Sequence, residues 1–561
     1  TGVVLLVGAG GMFLTRGVQV KMLPFDDKNE VQVIIDLPEG TPLETTLALA
    51  TDMGRVVGTV PEVSDVQLYA GVAAPFNFNG MIRHYYLRQG PNVADLQVNL
   101  VDKGDRKAES HDVAKALRPL VEEIAERSGT GARVKVVEVP PGPPVLSTLV
   151  AEVYGDDESE RVRVAREVMA RFEAHEGVVD VDWSLAAPQT EVRLEVDAEK
   201  AALSGIPKEQ VVGALRLALA GQTVSHVSVP EARDPVPLKV RVGEADRSGT
   251  DRLGRIHLGS PLGTMVPAGE LVRAIDGTRP QVVDRKNGKP VIYVMAEVAG
   301  EEESPVYAIL DLEKELDDIQ VAGGTSLGRL FARQPQVTER PVMKWDGEWH
   351  ITYEVFRDLG IAFAGALVLI YVLIVAWFGS FTTPLIMMSA IPLTLVGIAP
   401  GHLIFGAFFT ATSMIGMIAL AGIMVRNGIL LIDYLESRIA SGVPLREAVI
   451  EAGAVRTRPI ALTAGTVVIG AIVILFDPIF QGLAVALITG AIASTVLTLV
   501  VVPGIYFLMK RGPEQAEDDG SPVPVSEEPS LPGPARPESA PSVSPQPELA
   551  TKGADARGDE S

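Results

Sequence analysis

Hydrophobic and polar positions divide the chain into three regimes. From Lys21 to Trp349 short apolar runs alternate with polar ones. From Phe356 onward five long apolar runs follow closely, and from Pro513 to Ser561 apolar positions almost vanish. In the first regime, Val31–Gly40 predicts a strand and Thr41–Val60 a helix opened by Thr41, with Pro42 in its first turn. Val63–Ala70, Met81–Arg88 and Val93–Asp102 alternate as strands do; His111–Arg127 reads as a helix and Ala132–Val139 as a strand.

That order is a split βαβ-βαβ, ferredoxin-like arrangement. It recurs: Leu149–Gly155 reads as a strand, Glu158–Ala174 as a helix, Val178–Trp183 and Thr190–Asp197 as strands, and Lys208–Ala220 as a helix. A β-rich insertion from Gly221 to about Thr278 holds Val236–Val242 and Gly263–Val272, before a strand at Lys289–Val298 and a helix at Ser304–Ile319. The expected domains are a first α+β module over 29–145, a second over 146–220 and 281–340, and the insertion over 221–280.

The five apolar runs, Leu359–Phe378, Pro384–Ile404, Phe408–Asp433, Pro459–Phe476 and Leu483–Leu508, are each long enough for a membrane helix. They make a five-helix region over 356–511. The apolar start, 1–16, reads as a truncated sixth span; it has no basic leading region or cleavage motif for a signal peptide. Arg438, Arg446, Arg456, Arg458, Lys510 and Arg511 place their connections in the cytoplasm and the soluble modules outside, although Arg16 and Lys21 vote the other way. The fold class expected is a multi-pass membrane α-helical bundle with α+β modules outside, in a periplasm-like compartment. Residues 512–561, rich in Pro, Ser, Glu and Gly, read as a disordered cytoplasmic tail.

Composition adds exclusions. A net charge of −22 argues against nucleic acid as a partner. The absence of cysteine removes disulfides and thiolate metal sites, and the seven histidines show no ligand spacing, so neither metal nor cofactor is expected. No nucleophile–base constellation suggests an enzyme.

The most informative stretch is Phe408–Tyr434, a membrane-length run that contains Arg426, Asn427 and Asp433. A charge at membrane depth costs roughly 2.5–3.5 kcal/mol on insertion scales, so such residues tend to be paired and functional. Arg426 and Asp433 are seven residues apart and share a helix face. In the plain alternative, Arg426 pairs with Asp433 or snorkels to the membrane surface, and Asp433 is a helix-end charge. Phe76 and Phe78 in Gly71–Gly80, with Tyr69 and Tyr85 near, could offer aromatic surface to an apolar substrate or simply anchor a loop. Gly416, Gly422, Gly465 and Gly470 suit close helix approach.

Gly422–Tyr434 and Val455–Gly470, with the layout of one short span, two modules and five spans, resemble the C-terminal half of resistance–nodulation–division (RND) efflux transporters. The hydrophobe/amphiphile multidrug branch is the best match, and Met265–Val272 and Lys344–Asp358 resemble its docking segment and the approach to its eighth span. The resemblance covers Thr1 to about Arg511. It implies a proton-coupling site in which Arg426 stands where lysine is usual, Thr463 matches the relay threonine, and Asn427 and Asp433 are polar neighbours. Guanidinium holds its proton where a buried lysine can shift, so Arg426 reads as a fixed counter-charge. Arg456 and Arg458 read as topology determinants, with proton exit as the alternative. The partner aspartates are not in this chain; the resemblance implies an N-terminal half that holds them. It further implies a homotrimer in membrane lipid, joined to a periplasmic adaptor and an outer-membrane channel, exporting small amphiphilic molecules under the proton motive force. Two other readings stay open: a membrane-tethered assembly or sensor protein, and an RND relative that handles lipid or protein.

Overall fold

The computed structural model describes residues 2–510, apart from Pro141, Pro143, Glu231, 244–248, Leu262 and Glu301. The predicted tail, 512–561, lies outside the described residues. The chain opens with α1 (Gly2–Leu14), whose 13 residues span about 20 Å, short of the roughly 30 Å of a bilayer core.

The first module is β1 (Glu30–Asp36), α2 (Leu43–Val57), β2 (Val63–Val72), α3 (Phe78–Ile82), β3 (Gln89–Leu100), α4 (Ser110–Ser128) and β4 (Arg133–Val137). Its sheet has the order β2-β3-β1-β4, antiparallel throughout. Val31, Val33 and Ile35 of β1 alternate onto the face that α2 and α4 cover with Leu49, Met53, Leu117 and Val121. Met81–Arg88 is a correction: it is not a strand. Asn77 accepts a hydrogen bond from the Gly80 amide at 2.6 Å and starts α3, and His84 in the left-handed region (φ 60°) then turns the chain into a 3₁₀ turn over Tyr85–Leu87.

The second module repeats the plan with β5 (Leu149–Tyr154), α5 (Glu158–Ala174) and β6 (Val178–Trp183). Its insertion begins earlier than expected. It comprises β7 (Thr190–Val196), α6 (Ala198–Leu203), α7 (Lys208–Leu219), the hairpin β8 (Gln222–Val227) and β9 (Val236–Val240), β10 (His257–Gly259), β11 (Met265–Pro267), α8 (Ala268–Leu271) and β12 (Val272–Thr278), after which β13 (Arg285–Lys286) returns the chain to the module's sheet. β7 pairs with β12, and Ile206, Val211, Leu215, Leu258 and Leu271 form a separate core. Thr190–Asp197 and Lys208–Ala220 therefore belong to the insertion and not to the module.

The module's own third strand is β14 (Lys289–Val298), followed by α9 (Pro305–Glu315). The short strands β15 (Gln320–Val321), β16 (Thr325–Ser326) and β17 (Gly328–Leu330) come next, and β18 (Val342–Gly347) enters the six-stranded sheet between β5 and the parallel β17, while β14 pairs with β5 on one side and with β6 and β13 on the other. The module thus extends beyond the expected limit of 340. Its core stacks Phe172 of α5 on Trp345 of β18, with ring centroids 5.8 Å apart.

β18 passes directly into α10 (Glu348–Phe378), the first of five helices long and apolar enough to cross a membrane. The second is broken into α11 (Thr383–Met388) and α12 (Leu395–Phe405) around Pro392. The others are α13 (Ala411–Ala440), α14 (Leu445–Ile472, with a 3₁₀ turn to Phe476) and α15 (Gln481–Lys510). Of the glycines expected at close crossings, Gly416 lies against Ala486, but a methyl on Gly422, Gly465 or Gly470 would meet nothing within 4 Å. The tight crossings are at Gly397, Gly401 and Gly490, where α12, α15 and α13 meet.

Candidate functional site

α13 has two unlike faces. Ala421, Met424, Val425, Gly428, Leu431, Ile432 and Leu435 are buried against the other helices. Gly422, Arg426, Leu430, Asp433 and Ser437 recur every three to four residues and are exposed. Arg426 and Asp433 do share this stripe, but they do not pair: among the described residues neither makes a hydrogen bond or ion pair. Asn427, one residue on, turns into the bundle interior and is 3% exposed.

Thr463 is half-buried on α14 and its hydroxyl donates to the Ile460 carbonyl of the same helix at 2.9 Å. Arg456 belongs to another group. Its guanidinium lies 5.0 Å from the centroid of the Tyr434 ring, while the Tyr434 hydroxyl and Arg438 Nε both donate to Glu451, at 3.0 and 2.9 Å. This cluster ties the end of α13 to the start of α14. Near the opposite end, His402 is 1% exposed: its Nδ1 donates to the Ile398 carbonyl at 2.8 Å, so Nε2 accepts from the Ser413 hydroxyl at 2.9 Å. It fastens α12 to the start of α13, a role its spacing did not signal.

In the first module, Phe76 is 74% exposed and meets the Tyr86 ring at 6.0 Å, and Phe78 is exposed beside it. Tyr69 donates instead to Gln67 at 3.0 Å, and Tyr85 lies under the Arg88 guanidinium. The aromatic surface is therefore Phe76, Phe78 and Tyr86. Two arginines pin the loop that carries it. Arg88 binds Asp36 and Asp95 within the module, and Arg83 reaches across to Glu297 of β14.

Arg83–Glu297 is one of a set. Arg118 binds Asp180 at 3.0 Å, Arg133 and Lys135 bind Asp182, and His111 and Lys115 bind Glu303. In each of these pairs the cation comes from the first module and the carboxylate from the second. The seam runs along β4 and β6, the edge strands of the two sheets. A bulge in β6 opposite Ala296, with Asp180 at φ 55°, aims Asp180 at Arg118.

Burial works against ionisation of Glu297, but Arg83 and the Thr148 and Ser147 hydroxyls outweigh it and hold the carboxyl below its usual range. Asp182 is lowered likewise, burial being outweighed by Lys135. Burial prevails at Asp180 and raises it despite Arg118. Burial also opposes charge on His111, yet its bonds to Glu138 (2.7 Å) and Glu303 (3.1 Å) lift it to about 9. The seam went unforeseen. Its signal was the i, i+2 charges Arg133/Lys135 and Asp180/Asp182 inside apolar strands. Among the described residues no group of three or more His, Asp or Glu side chains could hold a metal ion.

Duplicated α+β modules feeding a bundle of apolar helices give the chain the fold of the RND permease class. The sequence model of the AcrB/AcrD/AcrF family matches residues 1–510, and the chain belongs to that family. It is 26% identical over 366 residues to the swarming motility protein SwrC of Bacillus subtilis, covering 64% of this chain and 33% of that one. It is 25% identical over 455 residues to the cobalt-zinc-cadmium resistance protein CzcA of Cupriavidus metallidurans, with 78% and 41% covered. The nickel and cobalt resistance protein CnrA of the same organism is 24% identical over 488 residues, with 84% and 43% covered. A crystal structure of a heavy metal efflux pump superposes with a TM-score of 0.72 at 22% identity, over 91% of this chain and 50% of that one. The chain thus spans less than half the length of these curated relatives. Their names give no support to the hydrophobe/amphiphile branch.

Proposed function

We propose that this chain supplies one half of a proton-driven RND exporter of the inner membrane, with its modules in the periplasm and its tail in the cytoplasm. The observation that carries this reading is the uncovered stripe of α13, where Arg426 projects from a membrane-length helix without a partner among the described residues. An unmatched charge at that depth calls for an acidic partner from another segment. Proton binding to that partner would weaken its pairing with Arg426, shift the helices and move the modules, with Thr463 lining the path and Asp433 and Asn427 as polar neighbours. That is two sites coupled by differential contacts. The permease works as a homotrimer with a periplasmic adaptor and an outer-membrane channel.

The exposed Phe76, Phe78 and Tyr86 favour an amphiphilic organic substrate. A metal cation is the second reading, favoured by the metal-resistance names of CzcA and CnrA. Export from cells carrying the whole permease tests the proposal: Arg426→Ala is expected to lower export of an organic dye, or of cobalt under the second reading, by about a hundredfold, the scale of a lost buried charge partner. Export retained at the unmodified level would overturn it.

A further inference from the structure

Between α1 and β1 the chain runs as a short ladder against the start of α13. The Phe409 amide donates to the Gln19 carbonyl at 2.8 Å, the Lys21 amide to the Phe409 carbonyl at 3.2 Å, and the Ala411 amide to the Met22 carbonyl at 3.1 Å. This ladder holds Lys21 rigidly. Its side chain is 3% exposed, and its ammonium lies 4.6 Å from the Phe25 ring centroid and 5.2 Å from that of Phe408. Among the described residues it has no carboxylate within 4.0 Å and no hydrogen-bond acceptor. Ring faces attract an ammonium but accept no ordinary N–H···O bond, and the Glu303 and Glu348 carboxylates act on it only from beyond 4.0 Å.

Lys21 lines a cavity of about 360 Å³ whose apolar wall includes Phe25, Phe408, Leu475, Phe476 and Pro478. Of the other charged groups in the lining, Glu303 is bound by His111 and Lys115, and His111 also binds Glu138; Glu109 is exposed at the start of α4, its backbone amide donating to Asp112 at 3.3 Å. Phe408 precedes α13 by three residues and Phe476 closes the α14 span, so the cavity opens at the module-side ends of the spans, level with lipid headgroups.

We infer that this cavity binds an anionic amphiphile, its carboxylate or phosphate head accepting hydrogen bonds from the Lys21 ammonium and its apolar tail lying against Phe25, Phe408 and Phe476. Such a head supplies the acceptors that the aromatic faces lack, and the volume suits a small ligand. Glu303 does not repel it, because His111 and Lys115 already neutralise that carboxylate. The site stands whether or not the chain takes part in transport.

Calorimetric titration of the full chain in dodecyl maltoside with sodium decanoate tests the inference. Saturable one-site binding is expected, about tenfold weaker in Lys21→Met and about tenfold weaker for decanol, which has the tail without the charge. Phe476→Ser, which alters an exposed ring, should weaken decanoate about threefold. Phosphatidylglycerol in the same micelles distinguishes two sources: displacement of decanoate assigns the site to a lipid phosphate, and coexistence assigns it to a free amphiphile. Equal affinity for decanoate and decanol, or undiminished binding in a folded Lys21→Met, overturns the proposal. Should Lys21→Met fail to fold, the decanoate–decanol comparison with Phe476→Ser decides alone.

Discussion

The seam between the modules and the outer stripe of α13 treat charge in opposite ways. At the seam, Arg83, Arg118, Arg133 and Lys135 each reach a carboxylate of the second module, and the Arg83–Glu297 pair is enclosed by Ser147 and Thr148. On α13, Arg426 and Asp433 stand on one face and bind nothing in the described chain. The contrast separates charges paired within this chain from charges that the described residues leave unpaired, which the proposed function assigns to coupling. The first kind should show in stability, the second in transport.

The largest stability effect should come from opening the seam. Arg83→Met strands the buried Glu297 carboxylate and should cost about 3–5 kcal/mol in denaturant unfolding, whereas Arg83→Met/Glu297→Leu should regain most of that loss. Arg426→Met should change stability by less than about 0.5 kcal/mol, since it breaks no contact. Equal losses for Arg83→Met and Arg426→Met would erase the distinction.

His111 gives the seam a pH dependence. The imidazole is bounded by Glu138, Glu303 and Lys115, with the Phe25 ring stacked 4.9 Å away and Lys21 on that ring's other contact. Its pKa rises from 6.5 to about 9 on folding, so its stabilisation is complete below about pH 6.5 and fades as pH climbs through 9. Roughly 2 kcal/mol should be lost across that window. Melting temperatures of His111→Gln should lack this decline, and a slope identical to that of the unmodified chain would remove His111 from the account.

A smaller effect belongs to the Tyr434–Glu451–Arg438 cluster. Tyr434→Phe deletes one hydrogen bond but keeps the ring beneath Arg456, so unfolding should show a loss of about 0.5–1 kcal/mol. A loss as large as that of Arg83→Met would mean that paired membrane-end charges count as much as the buried seam.

Much of the fold could be read from period alone. Val31–Gly40 and Glu158–Ala174 announce their buried faces locally, and five apolar runs stand out by length. What escaped was pairing, which is not local. Thr190–Asp197 and Lys289–Val298 carry similar strand patterns, yet β7 pairs with β12 and β14 with β5 and β6. β18 was hidden because Val342–Gly347 carries Lys344 and Asp346, whose charges are met by Glu152 and Lys286 from distant strands. In the site, helix period placed Arg426 and Asp433 on one face, but it could not tell an inward face from an outward one. For the same reason Asn427 turned out to lie in the interior.

The most direct measurement of that outward face is proton flux through proteoliposomes holding the whole permease, followed with an enclosed pH dye under an imposed gradient and substrate. If Arg426 is the fixed partner of a titrating acid, Arg426→Ala abolishes substrate-dependent proton movement while its melting temperature stays that of the unmodified protein. Coupled flux at the unmodified rate in Arg426→Ala would contradict the account.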